Sequence, residues 1–225
     1  IASPDNLHYQ HVLLSLQNNN HVLCVKPLVA KTDENRNLID LQLKKNLLGM
    51  VEYHKRYDEA NLYTKKMINE GVLGDLLYYQ VDYSQRIDIP MKTFNRWVEN
   101  TNIFQYLGVH YVDLFYFLTG YIPEKLTAYG TSGTLKKKGI NTFDSIHVSI
   151  IWKCKGGGEC ITIFNTNWID PSCTSALSDQ KYILVGTNGR IENNHKNRGI
   201  ELVSKKTKIQ HPNPYFSDYI FDADG

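Results

Sequence analysis

The chain has 225 residues, of which 42% are hydrophobic, 12% aromatic and 21% charged. Its 25 Lys and Arg residues face 23 Asp and Glu residues, and a net charge of +2 excludes a dedicated nucleic-acid binder, while the aromatic content excludes overall disorder. No apolar run approaches the ~18 residues that span a bilayer, so a soluble chain that buries its own core is expected. The four cysteines, Cys24, Cys154, Cys160 and Cys173, form no CxxC pair. They read as free thiols in a reducing, cytoplasmic setting, with no metal site. No signal-peptide pattern opens at Ile1, and the chain reads as starting inside an element already under way.

Ile1 to Asn6 reads as the end of a strand and a turn, with Pro4 and Asp5 supplying turn chemistry. A helix is expected over about 6–19, stopped by Asn18-Asn19-Asn20. The apolar run His21–Val25 predicts a buried strand that ends at Lys26-Pro27. A second helix, with Thr32 as its N-cap, runs to about Leu43; a strand follows near 48–53 and a helix over about 58–70. This alternation predicts a parallel, helix-covered sheet.

The second part of the chain reads differently. Residues 75–85 alternate with period two, placing Leu77, Tyr79, Val81 and Tyr83 on one face and Tyr78, Gln80, Asp82 and Ser84 on the other. One strong helix is expected over about 103–118, followed only by strands near 125–131, 144–154, 159–168, 179–186, 189–194 and 200–204. Gly156-Gly157-Gly158 and Asn188-Gly189 read as hairpin turns, and Lys136-Lys137-Lys138 as a solvated turn. The fold class is therefore α/β plus α+β: a partial Rossmann-type parallel segment (1–52), then an open-faced, mainly antiparallel sheet domain (53–225). One helix is too little to cover both faces of that sheet, so self-association through it is expected.

Three places can carry chemistry. Lys26 stands at the carboxyl end of a buried strand, where open α/β sheets bind ligands, and Pro27 beside it is a candidate for a cis bond; an ordinary strand-end lysine is the plain alternative. On the 103–118 helix, Tyr106, His110 and Asp113 share one side at i, i+4 and i+7, beside an apolar face of Phe104, Leu107, Tyr111, Leu114, Phe115 and Leu118. That set suits acid–base work, or is an amphipathic helix with a satisfied half-buried histidine. Tyr53-His54-Lys55-Arg56-Tyr57 ends another strand with cations suited to an anionic or polyhydroxyl ligand, or forms a solvated loop.

The segments IASPDNLH (1–8), HVLCVKPL (21–28), EGVLGD (70–75) and LGVHYVDL (107–114) occur in this order, with GTNGRIE (186–192) after them. Together they resemble the Gfo/Idh/MocA family of NAD(P)-dependent oxidoreductases over essentially the whole chain. The resemblance implies hydride exchange between NAD or NADP and a carbinol carbon of a sugar, cyclitol or related polyol. Lys26 matches the lysine of the family's Glu-Lys-Pro motif, which orients the reacting hydroxyl, and His110 matches the acid/base histidine. Ser3, Pro4, Asn6 and His8, with Val25, match the border of the nicotinamide. Tyr106 would position substrate, Asp113 would orient the imidazole, and Arg56 and Arg86 are further substrate-contact candidates.

The chain departs from the family pattern at Val25, where the family has glutamate, and at Tyr106, where it has aspartate. No GxGxxG occurs in the sequence. The resemblance implies ~60–70 residues of βαβ structure before Ile1, and an end at Asp222–Gly225 that falls in mid-domain. A non-catalytic sugar-binding or assembly module of the same fold, or an inactive fragment lacking the phosphate-binding loop, is the rival expectation.

Overall fold

The computed structural model describes residues 1–174, 176–196 and 199–212. The expectation placed on Asp222–Gly225 lies outside them.

The first part is a small parallel sheet under two helices. Asp5–Leu7 forms a 3₁₀ turn that runs into helix α1 (His8–Gln17). The helix stops at the asparagine run as expected, with Asn19 taking φ +59°, a left-handed conformation that Asn tolerates. Strand β1 (Val22–Val25) pairs in parallel with β2 (Gly49–Glu52), in the register Val22 to Gly49 and Val25 to Glu52. Ile1 lies along β1 through a bond from the Val25 N–H to its carbonyl. Helix α2 (Thr32–Lys44) connects the two strands. Thr32 is its first helical residue rather than its cap: Lys31 holds the extended cap position, no side chain caps the end, and Asp33 and Glu34 supply negative charge to the first turn. Val12, Leu16, Val22, Cys24, Leu38 and Leu47 form the core of this part.

A 3₁₀ turn, His54–Tyr57, leads to helix α3 (Glu59–Asn69), which Asp58 caps through its side chain to the Ala60 N–H at 3.0 Å. An eight-stranded sheet follows, ordered β10-β9-β8-β7-β3-β6-β5-β4. Its strands are β3 (Leu76–Arg86), β4 (Ile122–Thr131), β5 (Ser145–Lys153), β6 (Glu159–Asp170), β7 (Ser178–Gly186), β8 (Gly189–Asn194), β9 (Gly199–Ser204) and β10 (Lys208–Gln210). Neighbours are antiparallel except β3 and β6, which pair in parallel.

Helix α4 (Val109–Thr119) lies on the inner sheet face and ends at Gly120 in the left-handed region. Its Tyr111, Leu114, Phe115 and Leu118 share one core with Tyr79 and Val81 of β3, Trp152 of β5, Phe164 of β6 and Leu184 of β7. Phe115 stacks on Tyr79 at 5.3 Å between centroids.

Three local expectations change. Leu77 is 47% exposed and Leu76 4% exposed, because a register irregularity between Leu76 and Tyr78 shifts the alternation by one before Tyr79 resumes it. The helix expected from residue 103 begins as a π turn, Phe104–Gly108, and becomes α-helical only at Val109. Gly108 permits this, since a Cβ there would stand 2.3 Å from the Phe104 ring. The stretch after that helix is not strands alone: Thr134–Lys137 forms a helical turn, α5, whose Thr134 and Leu135 N–H groups donate to Asp144 at 2.6 and 2.8 Å.

Candidate active site

Lys26 follows β1 directly, and its bond to Pro27 is cis. His8 locks the turn behind it: its ring nitrogens lie 2.6 Å from the Pro27 carbonyl oxygen and 2.9 Å from that of Ser3. The Ser3 hydroxyl meets His11 Nδ1 at 2.9 Å. Asp5, which sequence reasoning treated only as turn chemistry, ties the same turn to the helical region, accepting from Thr101 Oγ1 at 2.7 Å and from Gln105 Nε2 at 2.9 Å. Its second oxygen is buried with no partner among the described residues.

The Lys26 ammonium reaches across to the π turn, donating to the Tyr106 carbonyl and standing 4.0 Å over the Tyr106 ring. Burial lowers its pKa to about 8; Asp5 and Glu52 oppose that shift and Lys55 adds to it. Val25 leaves no polar side chain on this strand end.

His110 is 3% exposed. Its ring lies 4.6 Å from that of His54 and 6.2 Å from that of Tyr53, so the turn after β2 packs directly on the helix that carries it. Nδ1 of His110 is buried with no partner among the described residues. Burial, reinforced by the charges of Lys26, His54 and Lys55, pushes its pKa down to about 2, so the imidazole is neutral at physiological pH. Tyr106 packs edge-on against Phe94 at 4.7 Å, and burial raises its pKa.

Asp113 does not orient the imidazole. It is taken by Arg56, whose Nε donates to Asp113 Oδ2 at 2.8 Å and whose Nη2 donates to Oδ1. This fork occupies both residues with each other and pins the His54–Tyr57 turn to α4. Arg86 bonds to Thr174 through Oγ1 at 3.1 Å and through the backbone carbonyl, and no contact among the described residues joins it to Lys26 or His110.

The structure adds groups that the sequence did not single out. Lys55 Nζ donates to Gln180 Oε1 at 2.6 Å and lies 4.9 Å over the Tyr111 ring. The Tyr111 hydroxyl donates to the same oxygen at 2.8 Å. Burial lowers the Lys55 pKa to about 8, against the charge of Asp58. His195 Nδ1 lies 3.8 Å from Asp58, and its Nε2 is buried without a partner among the described residues. Lys55 was visible within a run of cations; Gln180, 125 residues away, carried no signal of its own.

The residues around Lys26 fit the nicotinamide end of a dinucleotide. They stand at the carboxyl edge of parallel strands, and the oxygen of Asp5 and nitrogen of His110 that are buried without a partner among the described residues leave polar groups for a ligand to satisfy. Among the described residues no group of three or more His, Cys, Asp or Glu side chains is placed to hold a metal ion.

The fold is a Rossmann-type parallel segment followed by an open-faced, mainly antiparallel sheet domain. Residues 1–53 match the oxidoreductase family, NAD-binding Rossmann fold, and residues 62–192 match the GFO/IDH/MocA C-terminal domain, so the chain belongs to the Gfo/Idh/MocA family. It is 29% identical over 151 residues to scyllo-inositol 2-dehydrogenase (NADP(+)) IolW of Bacillus subtilis, covering 67% of this chain and 41% of that protein. It is 28% identical over 204 residues to the uncharacterized oxidoreductase C26H5.09c of Schizosaccharomyces pombe, covering 84% of this chain and 50% of that one. The fold also matches an inositol dehydrogenase homolog from Azotobacter vinelandii, solved with NADH and myo-inositol, with a TM-score of 0.76 at 16% identity, covering 97% of this chain and 58% of that one. The chain thus spans half or less of the length of the two relatives compared by sequence.

Proposed function

We propose that the protein is an oxidoreductase that moves a hydride between NAD or NADP and a carbinol carbon of a sugar, cyclitol or related polyol. The observation that carries this is the approach of Lys26 to the turn before His110: the strand-end ammonium donates to the Tyr106 carbonyl and lies close enough for its charge to act on a buried, neutral imidazole. The bound cofactor supplies hydride acceptance or delivery. His110 takes the hydroxyl proton as the alcohol is oxidised and returns it in reduction, and its neutral form is the one able to accept. Lys26 donates to the reacting oxygen and stabilises negative charge as it develops there. The Tyr106 ring positions substrate, the Arg56–Asp113 fork fixes the wall beside it, and Ser3, Pro4, Asn6, His8 and Val25 border the nicotinamide. In this reading 1–52 is the dinucleotide-binding part and 53–225 the substrate and assembly part.

Polyols of the kinds named by the relatives are the substrates to try first. Nicotinamide reduction should appear with at least one of scyllo-inositol, myo-inositol and D-glucose and be lost in His110→Ala. No reduction with any neutral or acidic polyol, with either nucleotide, overturns the reading.

A second reading, a sugar-binding module without turnover, is favoured by the missing carboxylates at Val25 and Tyr106. Tyr106→Asp separates the two: it raises turnover in a decayed site and lowers it in one adapted to its substrate.

The protein is also proposed to self-associate through the outer face of the large sheet and to work in the cytoplasm. Ile161 and Ile163 of β6 and Tyr78 of β3 are exposed on that face, with Tyr78 paired to Ile161 and Gln80 to Ile163. Among the described residues no helix is long and apolar enough to cross a membrane.

A further inference from the structure

Lys55 is 8% exposed, yet its ammonium meets only a neutral amide oxygen, Gln180 Oε1, and the face of Tyr111. An ammonium carries three donors, and among the described residues the other two have no acceptor. Lys26 is in the same position, with the Tyr106 carbonyl as its acceptor. Buried charges are normally paired, because removing them from water is costly.

The carboxylates around the cluster are engaged elsewhere. Asp113 holds Arg56, Glu52 meets His54 at 3.0 Å, Asp5 accepts from Thr101 and Gln105 through Oδ2 and acts by charge on Lys26 rather than Lys55, and Asp58 caps α3 and faces His195. Asp58 acts on Lys55 through its charge, but no ion pair joins them. Among the described residues, then, Lys55 holds donors that no carboxylate accepts.

We propose that the substrate carries an anionic oxygen group, a carboxylate or a phosphate, and that Lys55 grips it beside the reacting carbon. This rests on the polyol reading for the rest of the substrate. Such a group supplies the acceptors that Lys55 lacks. It also offsets the lysine charge that opposes protonation of His110, so the substrate itself makes the base stronger, in a site where no carboxylate among the described residues pairs with that imidazole.

The test is calorimetric titration of the protein with D-glucose, D-glucuronate and D-glucose 6-phosphate, which differ in the anionic group. At least one anion should bind about tenfold or more tighter than glucose, the share a single charge-assisted hydrogen bond carries, and which one does so separates carboxylate from phosphate. Lys55→Met should erase that advantage and Lys55→Arg should keep most of it. Gln180→Glu, nearly isosteric, places a carboxylate on the Lys55 ammonium and should also erase it, which keeps the test decisive if Lys55→Met fails to fold. Glucose binding as tightly as both anions, no binding of either anion, or an anion advantage that survives Gln180→Glu overturns the proposal. Because binding is read without turnover, anion binding with no nicotinamide reduction removes the oxidoreductase reading alone. Turnover of neutral polyols with no anion preference removes this proposal alone.

Discussion

In the proposed reaction His110 and Lys26 serve one proton and one oxygen, so their substitutions should not add. His110→Ala and Lys26→Ala should each lower kcat and kcat/KM together by roughly 10²–10⁴-fold, and the double variant should lose little more than the worse single one. Tyr106→Phe should be milder, because the ring that packs against Phe94 and under Lys26 remains. The histidines also set an acid limit. The unfolded chain protonates His110 and His195 near pH 6.5, whereas burial holds their folded values at about 2 and about 4. Below pH 6.5 the unfolded state takes up protons that the folded state refuses. The stability is thus fully present above pH 6.5 and falls as pH drops, by up to ~1.4 kcal/mol per pH unit for each imidazole. Urea unfolding at pH 7 and pH 5 should show a smaller loss in His110→Gln than in the wild type. An equal loss in both would remove His110 from this linkage.

At the level of elements, the hairpin Gly186-Thr187-Asn188-Gly189 shows how a motif legible in sequence acquires a cause in structure. A Cβ at Gly186 would stand 2.4 Å from the Leu73 carbonyl oxygen, and one at Gly189 2.2 Å from that of Val203, both backbone atoms that cannot step aside. Gly186→Ala and Gly189→Ala should each cost more than ~2 kcal/mol in denaturant unfolding, whereas Gly156→Ala, in open space, should stay within about 0.5 kcal/mol. Most strands and helices were readable because hydrophobic period and turn chemistry agree along them, as in β3 after Tyr79 and at the Asp58 cap. What could not be read is what depends on contacts distant in sequence. The π turn at Phe104–Gly108 arises from a ring folding over a glycine. The diversion of Asp113 to Arg56 is set by a residue 57 positions away, and spacing on one helix cannot show it. Lys26 and His110 were legible as candidates one by one; the bond from Lys26 to the Tyr106 carbonyl, and the recruitment of Lys55 by Gln180, depend on how two parts of the chain pack.

Across the whole molecule, the large sheet buries its inner face under α4 and α3 and leaves the outer one open. That outer face combines apolar rows, with Tyr78 beside Ile161, and a polar ladder in which His147 Nδ1 lies 2.9 Å from Asn165, which donates to Asp82 at 2.8 Å. Ile161→Lys with Ile163→Lys should shift the protein toward monomer in sedimentation velocity at micromolar concentration while leaving its circular dichroism unchanged. A wild type that is already monomeric would remove the interface. The central claim, that a strand-end lysine and a buried neutral histidine carry out proton transfer for hydride exchange, is tested most directly by single-turnover reduction of NAD+ or NADP+ in wild type and His110→Ala, with nucleotide affinity measured in parallel. The expected result is a hydride-transfer rate lowered at least ~100-fold with nucleotide affinity unchanged, since His110 acts on the reacting oxygen and not on the cofactor. A rate left unchanged by His110→Ala would contradict it.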